Sequence, residues 1–387
     1  MIKTVVILGA AYPFRSGGIT TFNERLARAF QQQGYEVTIY NFSLQYPSFL
    51  FPGKSQYSTQ PAPADLKILS KVNSINPLNW LMVGNELKKR KPDLVVVRFW
   101  LPFMGPSLGT ILRGIRQNHH TKIIAITDNV IPHEKRTGDK WFTQYFLKPC
   151  DGYITMSDKV LRDLRQFEPE KPAIKVLHPL YDTFGEAVPK PEARKKISAL
   201  TGAQIKDDET ILLFFGFIRR YKGLDMLLEA MKILKERKPE LKNVRLLIAG
   251  EYYEDEKIYQ DIINRFNISE LLILKTDYIP ETEVKYYFCA ADVIIQPYRN
   301  ATQSGVTPLA YHFEKPMMVT RVGALADYVP HGKVGLVMEP DPQHIADAIV
   351  EFLQSGEAHF AAGIREEKKK YLWTNLVRAI TEMAEGV

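Results

Sequence analysis

A short basic segment, FFGFIRRYKGLD at 214–225, has the residue types most suited to chemistry in this chain. An apolar run ends at Gly216, and Arg219 and Lys222 follow just before a predicted helix. Two cations beside the free N–H groups of a helix start suit a diphosphate, and they can stabilise negative charge on a departing phosphate. An ordinary basic surface loop is the alternative. The position at the carboxyl end of a predicted strand favours the ligand site.

A second turn with the same potential follows the predicted strand 292–298. The residues predicted to start a helix there are Thr302, Gln303, Ser304, Gly305 and Val306. Successive backbone N–H groups with a hydroxyl can form an anion cradle, and Gly305 permits close approach of a phosphate. Taken alone, this Ser-Gly pair indicates only a helix start. The prediction therefore depends on the two turns lying close together.

Two series of apolar runs must position these turns. In the first half, strands are predicted at 3–9, 35–42, 93–100, 122–129, 152–157 and 175–180. Thr21 and Glu24 have the spacing of a capping box, which predicts that a helix begins at Thr21. In the second half, strands are predicted at 210–216, 244–250, 271–275, 292–298 and 316–320, with helices at 224–235 and 281–290. This alternation predicts a doubly wound α/β architecture.

Length and composition bound the organisation of the chain. Its 387 residues, 45% hydrophobic and 25% charged, favour two globular domains. The segment 181–208 lacks a strand signal, and we place the domain boundary near its start. Cys150 and Cys289 belong to no metal-binding cluster and fit a reducing cytosol. The apolar start of the chain is interpreted as a buried strand rather than a secretion signal, which predicts a cytoplasmic protein.

The charge is unevenly distributed along the chain. Residues 1–185 contain 24 Lys and Arg against 14 Asp and Glu, an excess of 24 − 14 = +10, whereas the remainder is slightly acidic. This asymmetry indicates an anionic surface or substrate for the first half, with phospholipid headgroups and nucleic acid as candidates. A solvated basic surface without a partner is the alternative. No aromatic-basic or helix-turn-helix motif supports nucleic acid.

The segment 216–223 resembles the phosphate-binding Arg/Lys segment of the retaining glycosyltransferases of family 4. The resemblance implies the GT-B fold, with two Rossmann-like domains facing each other across a cleft and a final helix that crosses back to the first domain. The predicted domains are 1–183 for the acceptor, 184–365 for the nucleotide sugar, and 366–387 for the helix. Arg219 and Lys222 would hold the donor diphosphate, with Arg220 as the alternative to Arg219.

The first half contains two further features that resemble this family. Gly17 and Gly18 match its N-terminal glycine loop, where the backbone approaches substrate, and they do not form a G-x-G-x-x-G fingerprint. The segment 127–134 resembles a family segment in which Asp128 stands where a histidine is common. Asp128 and His133 are candidates for orienting an acceptor or sugar hydroxyl. A structural role for His133 is the alternative.

The sequence departs from the family at two acidic positions. When Pro316 is matched to the family's proline, the usual pair of glutamates falls on Ala301 and Leu309. In the family these glutamates contact the donor sugar and the ribose. The chain resembles a subgroup with Thr-Gln-Ser-Gly-Val in this place, where Gln303 could meet the sugar.

The resemblance implies a retaining hexosyltransferase that uses a UDP- or GDP-sugar and no cofactor. Its acceptor would be a glycan or a lipid-linked sugar, in bacterial surface polysaccharide assembly. Base recognition is placed near Glu251, Tyr252 and Ile279. No D-x-D motif is present, so we expect catalysis without a metal ion. A sugar-nucleotide epimerase and a catalytically degenerate binding module are the alternatives.

Two apolar loops suggest how a lipid-linked acceptor could be met. These loops, at 46–52 and 99–106, would lie beside Arg98 and Lys54 and favour a peripheral contact with an anionic membrane. Internal packing of the same aromatic residues is the alternative.

Overall fold

The computed structural model describes residues 2–14, 18–47, 57–58, 61–131, 138–180, 182–237, 243–301, 304–323 and 325–387. The chain divides into a first unit, Met1–His178 with Leu372–Val387, and a second unit, Pro179–Tyr371. The boundaries predicted from the sequence were 183/184 and 365/366.

The first unit is built on a sheet of seven parallel strands in the order β3-β2-β1-β4-β5-β6-β7. The strands are β1 (Thr4–Leu8), β2 (Glu36–Leu44), β3 (Ile68–Asn73), β4 (Leu94–Phe99), β5 (Lys122–Thr127), β6 (Gly152–Thr155) and β7 (Ala173–Lys175). The helices are α1 (Gly18–Gln32), α2 (Pro77–Arg90), α3 (Gly105–Arg116), α4 (Asp139–Leu147) and α5 (Asp158–Arg165). Apolar cores on both faces explain why the central strands are continuous hydrophobic runs.

The second unit repeats this plan with six parallel strands in the order β10-β9-β8-β11-β12-β13. The strands are β8 (Thr210–Phe215), β9 (Val244–Ala249), β10 (Leu272–Lys275), β11 (Val293–Gln296), β12 (Met317–Thr320) and β13 (Gly335–Met338). The helices are α6 (Lys190–Thr201), α7 (Leu224–Arg237), α8 (Lys257–Phe266), α9 (Val284–Ala290), α10 (Val306–His312), α11 (Leu325–Tyr328), α12 (Pro342–Ser355) and α13 (Glu357–Lys368). The strand order reverses between β8 and β11, where open α/β sheets bind ligands.

The final helix, α14 (Trp373–Gly386), belongs to the first unit. Leu376, Val377 and Ile380 are buried in the core that α14 shares with α1, β5 and β6. The apolar spacing at 372, 376 and 380 indicated such a helix, although Leu372 itself precedes it and is 40% exposed.

The doubly wound architecture predicted from the sequence is confirmed, but several predicted elements are wrong. The helix α1 begins at Gly18 rather than Thr21, and the Glu24 carboxylate accepts the Tyr12 N–H at 2.8 Å instead of closing a capping box. The strand predicted at 175–180 ends at Lys175. The segment 181–208, which lacks a strand signal, contains the helix α6.

The strands β3 and β13 were not predicted, because both lie at sheet edges. Edge strands need no continuous apolar run: in β3, Ser70 and Lys71 are exposed, and β13 has only four residues. Among the described helices, none combines the length and the apolar composition needed to cross a membrane.

Candidate active site

A cavity of about 360 Å³ lies at the carboxyl edge of the second unit's sheet. Each turn that lines it follows a strand of that sheet or begins α10. The lining residues from these turns are Gly216 and Phe217 after β8, Gly250 and Glu251 after β9, Tyr278 and Ile279 after β10, Tyr298 after β11, and Ser304, Gly305 and Val306. This volume lies within the range of sites for small ligands.

Lys222 contributes an unpaired cation to this cavity. A single 3-10 turn, 220–222, places its side chain beneath the end of β8, where it is only 8% exposed. Within the described part of the chain, no carboxylate forms an ion pair with it. Burial, and then the positive charge of Arg219, lower the pKa of Lys222 from 10.5 to about 8. An uncompensated buried ammonium is costly, which is typical of a group held ready for an anion.

Arg219 lies immediately before the same 3-10 turn. Its side chain is exposed, and its guanidinium carbon is 5.0 Å from the centre of the Tyr253 ring. Arg219 is not among the residues that line the cavity, but its charge acts on Lys222. Arg220 is exposed as well and also lies outside the cavity lining. Which of the two arginines meets the diphosphate stays a prediction, and the charge of Arg219 on Lys222 supports Arg219.

Glycines allow the backbone turns after β8 and β9 to approach each other. Gly216 has φ +93°, and a Cβ built on it would lie 3.0 Å from Lys222 Nζ. Gly250 has φ +138°, and its Cβ would lie 2.3 Å from the Gly216 carbonyl oxygen. Both positions require glycine, since a side chain would be strained and would displace the lysine or the neighbouring turn.

Tyr298 connects the two predicted turns. The centre of its ring is 5.7 Å from Lys222 Nζ, and its hydroxyl is 3.3 Å from Ser304 Oγ. The methyl group Cγ2 of Val306 lies 4.0 Å from the Cβ position of Gly216, so the turns also meet directly. Burial raises the pKa of Tyr298 to about 12, which keeps its hydroxyl a neutral hydrogen-bonding group. The structure therefore brings the two predicted turns to one cavity.

The start of α10 differs in detail from the prediction. The helix begins at Val306, whose N–H donates a hydrogen bond to Ser304 Oγ at 3.2 Å. A Cβ built on Gly305 would meet no heavy atom of the described chain within 4 Å, so this backbone is open with respect to those residues. Thr302 and Gln303 lie outside the described residues. The residues at the two family glutamate positions are both buried: Ala301 is 7% exposed, and Leu309, 6% exposed, lines the cavity.

Glu251 and Ile279, predicted near a nucleotide base, both line the cavity and are partly exposed. The Glu251 carbonyl accepts the Ile218 N–H at 2.8 Å, which fixes the turn while its carboxylate borders the cavity. A second carboxylate, Glu281, also lines it. Tyr252 does not line the cavity.

Of the predicted residues of the first unit, Gly18 and Asp128 are described, whereas Gly17 and His133 lie outside the described residues. Gly18 is the first residue of α1, and a Cβ built on it would meet no heavy atom of the described chain within 4 Å. Asp128 follows β5, and both its oxygens accept hydrogen bonds from Arg98, at 2.6 and 2.9 Å. Its predicted contact with a hydroxyl stays a prediction.

The pairing of Arg98 corrects one sequence expectation. Arg98 was expected beside exposed apolar loops, but it is 6% exposed, and its guanidinium carbon lies 3.9 Å from the centre of the Phe22 ring. Lys54 and most of the loop 46–52 lie outside the described residues. In the loop 99–106, Phe99 and Met104 are fully buried, so internal packing accounts for them.

Sequence reasoning missed Tyr298, Gly250 and Phe184 as cavity residues. Tyr298 and Gly250 are each the last residue of a predicted strand, and the rule that ligands bind at the carboxyl ends of strands could have identified them. Phe184 has no comparable signal, because it comes from the segment before α6. No group of three metal-ligating side chains occurs among the residues that could be searched.

Comparison with known proteins gives a family match on each unit. Residues 16–183 match Glycosyltransferase Family 4, and residues 209–355 match Glycosyl transferases group 1. A D-inositol 3-phosphate glycosyltransferase of Corynebacterium urealyticum is 27% identical over 75% of this chain and 70% of its own length. Other curated relatives align over between 32% and 94% of their own length, the latter an uncharacterized glycosyltransferase of Methanocaldococcus jannaschii that is 22% identical over 95% of this chain.

Solved structures share the whole fold. A glycosyltransferase from Rickettsia africae has a TM-score of 0.66 at 15% identity, over 99% of this chain and 98% of that one. HepE of Anabaena in complex with UDP has a TM-score of 0.65 at 12% identity, over the full length of both chains. With the family matches on both units, these findings show that the chain is a glycosyltransferase with the GT-B fold.

Proposed function

We propose that this glycosyltransferase takes its sugar from a UDP- or GDP-sugar and that the cavity of the second unit binds the donor diphosphate. The observation that carries this proposal is Lys222, a buried ammonium that borders the cavity without a carboxylate partner in the described chain. HepE, which shares the fold, is known with UDP and with UDP-glucose.

The chemistry follows from where charge develops. When the bond from the sugar to the β-phosphate breaks, negative charge grows on the departing phosphate. Lys222 and Arg219 are placed to stabilise that charge, and the open backbone at Gly305 leaves room for the phosphate oxygens. In this proposal the cations serve in place of a metal ion. Retention of configuration, by a front-face route in which the departing phosphate takes the acceptor's proton, rests on the family resemblance.

Recognition of the donor hydroxyls must differ from the usual family pattern, because Ala301 and Leu309 cannot accept hydrogen bonds through their side chains. Glu251 and Glu281 line the cavity and offer carboxylate acceptors for ribose or sugar hydroxyls. Gln303 of the Thr-Gln-Ser-Gly-Val segment remains the candidate for the transferred sugar. The family resemblance implies that the acceptor is a glycan or a lipid-linked sugar of surface polysaccharide assembly. The proposed donor site does not depend on which of these it is.

Thermal unfolding with UDP, GDP and UMP tests the donor site. A diphosphate at about 100 times its Kd stabilises the folded protein by about 2.7 kcal/mol, and UMP should do so less at the same concentration. The variant Lys222→Met should lose most of this stabilisation, whereas Arg220→Ala should keep it. Release of UDP or GDP from a panel of donor sugars then measures turnover.

Two results would refute the assignment. One is stabilisation by UMP equal to that by both diphosphates. The other is a Lys222→Met variant that UDP or GDP stabilises as much as the wild type.

A further inference from the structure

The helix α2 of the first unit has an outer face whose apolar side chains are unusually exposed. Its inner face is fixed on α3: Val83 and Leu87 are buried, and the Cβ position of Gly84 is 3.2 Å from the Ile111 carbonyl oxygen. Gly84 and Gly114 let the two helix backbones pack closely. The orientation of α2 is therefore set, and its opposite face must point away from the core.

Three large apolar side chains occupy that outer face. Leu78 is 72% exposed, Leu81 is 61% exposed and Met82 is 70% exposed, and their spacing of three and four residues places them together. Ile75, just before the helix, is 49% exposed. We call these four residues the α2 patch. Contiguous exposed apolar surface of this kind marks a docking site more often than an idle surface.

Positive charge continues the same face. Lys89 is exposed on the outer side about two turns beyond Met82, and Lys91, also exposed, ends the helix in a left-handed conformation. Lys88 is directed towards α3 instead, where its ammonium donates to Gln117 Oε1 at 2.9 Å. The single carboxylate of α2, Glu86, is turned elsewhere: it accepts the Tyr40 hydroxyl at 2.9 Å and pairs with Lys71 at 3.4 Å. An apolar patch followed by lysines with no opposing carboxylate is complementary to an anionic lipid surface.

A second copy of the chain fits this face less well. A two-fold contact through α2 would place the lysines of the copies against each other or against the partner's apolar patch. A bilayer satisfies both parts at once, because apolar side chains enter the interface while lysines reach the headgroups. We infer that the outer face of α2 docks this chain on an anionic lipid bilayer through the α2 patch and Lys89 and Lys91.

A single introduced cysteine can locate the contact. Cys150 and Cys289 are both buried, and burial raises the pKa of each thiol, so a new surface cysteine reacts selectively. Met82→Cys, labelled with an environment-sensitive dye, should shift to the blue with vesicles of phosphatidylglycerol and phosphatidylcholine. The matched control is Ile258→Cys, at a 52% exposed isoleucine on α8, and its emission should not change.

Co-sedimentation of the full chain with the same vesicles measures affinity. Leu78→Ser with Met82→Ser should weaken binding at least about ten-fold. Lys89→Ala with Lys91→Ala should weaken it about five-fold per lysine, and both the wild type and the apolar variant should bind less at high salt. Ile258→Ser should bind like the wild type.

Three outcomes would overturn the inference: a wild-type chain that stays in solution, a serine double variant that binds fully, or a dimer that the serine variant dissociates. The readout is independent of donor binding. UDP stabilisation without vesicle binding would therefore refute this inference alone, and the converse would refute only the proposed function.

Discussion

Arg98 in the first unit and Lys222 in the second both place a buried cation at the carboxyl edge of a parallel sheet. Arg98, at the end of β4, is held by two hydrogen bonds from its guanidinium to Asp128 and by the Phe22 ring. Lys222, beyond the end of β8, has no carboxylate partner in the described chain and borders a cavity.

The difference separates two uses of the same charge. A buried arginine with a bidentate carboxylate is neutralised within the protein and holds two neighbouring strand ends together. A buried lysine without a partner leaves its charge available, at a cost to the folded state. The position of a cation at a strand end therefore identifies a candidate, and the absence of a partner identifies the candidate that faces a ligand.

The largest effect is expected on turnover in the double variant Arg219→Ala with Lys222→Ala. If both cations act on the departing phosphate, kcat should fall by about 10³-fold or more, since a single preorganised donor contributes about 10²–10³-fold. Steady-state release of the nucleoside diphosphate measures it. Arg220→Ala, one position away on the exposed side of the turn, should keep most of the activity. Full turnover in the double variant would remove these cations from the reaction.

The next effect concerns stability in the first unit. Arg98→Ala leaves the Asp128 carboxylate without its partner and should cost about 3 kcal/mol of unfolding free energy, measured by urea denaturation. The control is Arg321→Ala, which breaks a 3.0 Å pair with Glu339 whose side chains are 61% and 52% exposed. That change should cost less than about 1 kcal/mol. Equal losses of unfolding free energy in the two variants would mean that the pair of Arg98 with Asp128 stabilises the fold no more than an exposed ion pair does.

The sequence allowed prediction of the central strands, because strands buried on both faces contain uninterrupted apolar runs, as in 94–97 and 211–215. It also predicted that two turns meet, since both follow strands that lie next to each other in a doubly wound sheet. The edge strand β3 was not predicted, because an exposed edge tolerates polar residues such as Ser70 and Lys71.

Side-chain pairing was harder to predict than topology. Arg98 and Asp128 are 30 residues apart, and their contact follows only from the alignment of β4 with β5, in which Arg98 lies opposite Ile126. The adjacent arginines 219 and 220 could not be separated by spacing, because only the 3-10 turn decides which one lies near Lys222. Sequence patterns locate strand ends, whereas the partners there depend on three-dimensional register.

A smaller and opposite effect on stability is expected for Lys222→Met. Because the pKa of Lys222 in the folded chain is about 8 and that of an unperturbed lysine is 10.5, the folded state disfavours the charged form. Removing the charge should therefore stabilise the free protein by about 1–3 kcal/mol at pH 7. The wild type should recover this difference as pH rises from about 8 towards 10.5, because the lysine then loses its proton in the folded state.

Diphosphate binding should show the reverse dependence on pH. A bound diphosphate favours the ammonium form, so the affinity of the wild type for UDP or GDP should fall above about pH 8, whereas that of Lys222→Met should change less. Urea denaturation and calorimetric titration across pH 6–10 measure the two trends. A methionine variant no more stable than the wild type at pH 7 would show that the lysine charge is compensated in the free protein.

The smallest effect is expected for two glycine-to-alanine substitutions, one in each unit. A Cβ on Gly386 or on Gly305 would meet no heavy atom of the described residues within 4 Å, so alanine at either position should change the unfolding free energy by less than about 1 kcal/mol. Gly305 borders the cavity, and there the added methyl group would occupy space that a phosphate needs. Gly305→Ala should weaken diphosphate binding several-fold, and Gly386→Ala, in the last turn of α14, should leave it unchanged. Calorimetric titration with UDP and GDP distinguishes these outcomes, and equal affinities in the two variants would place the diphosphate away from the start of α10.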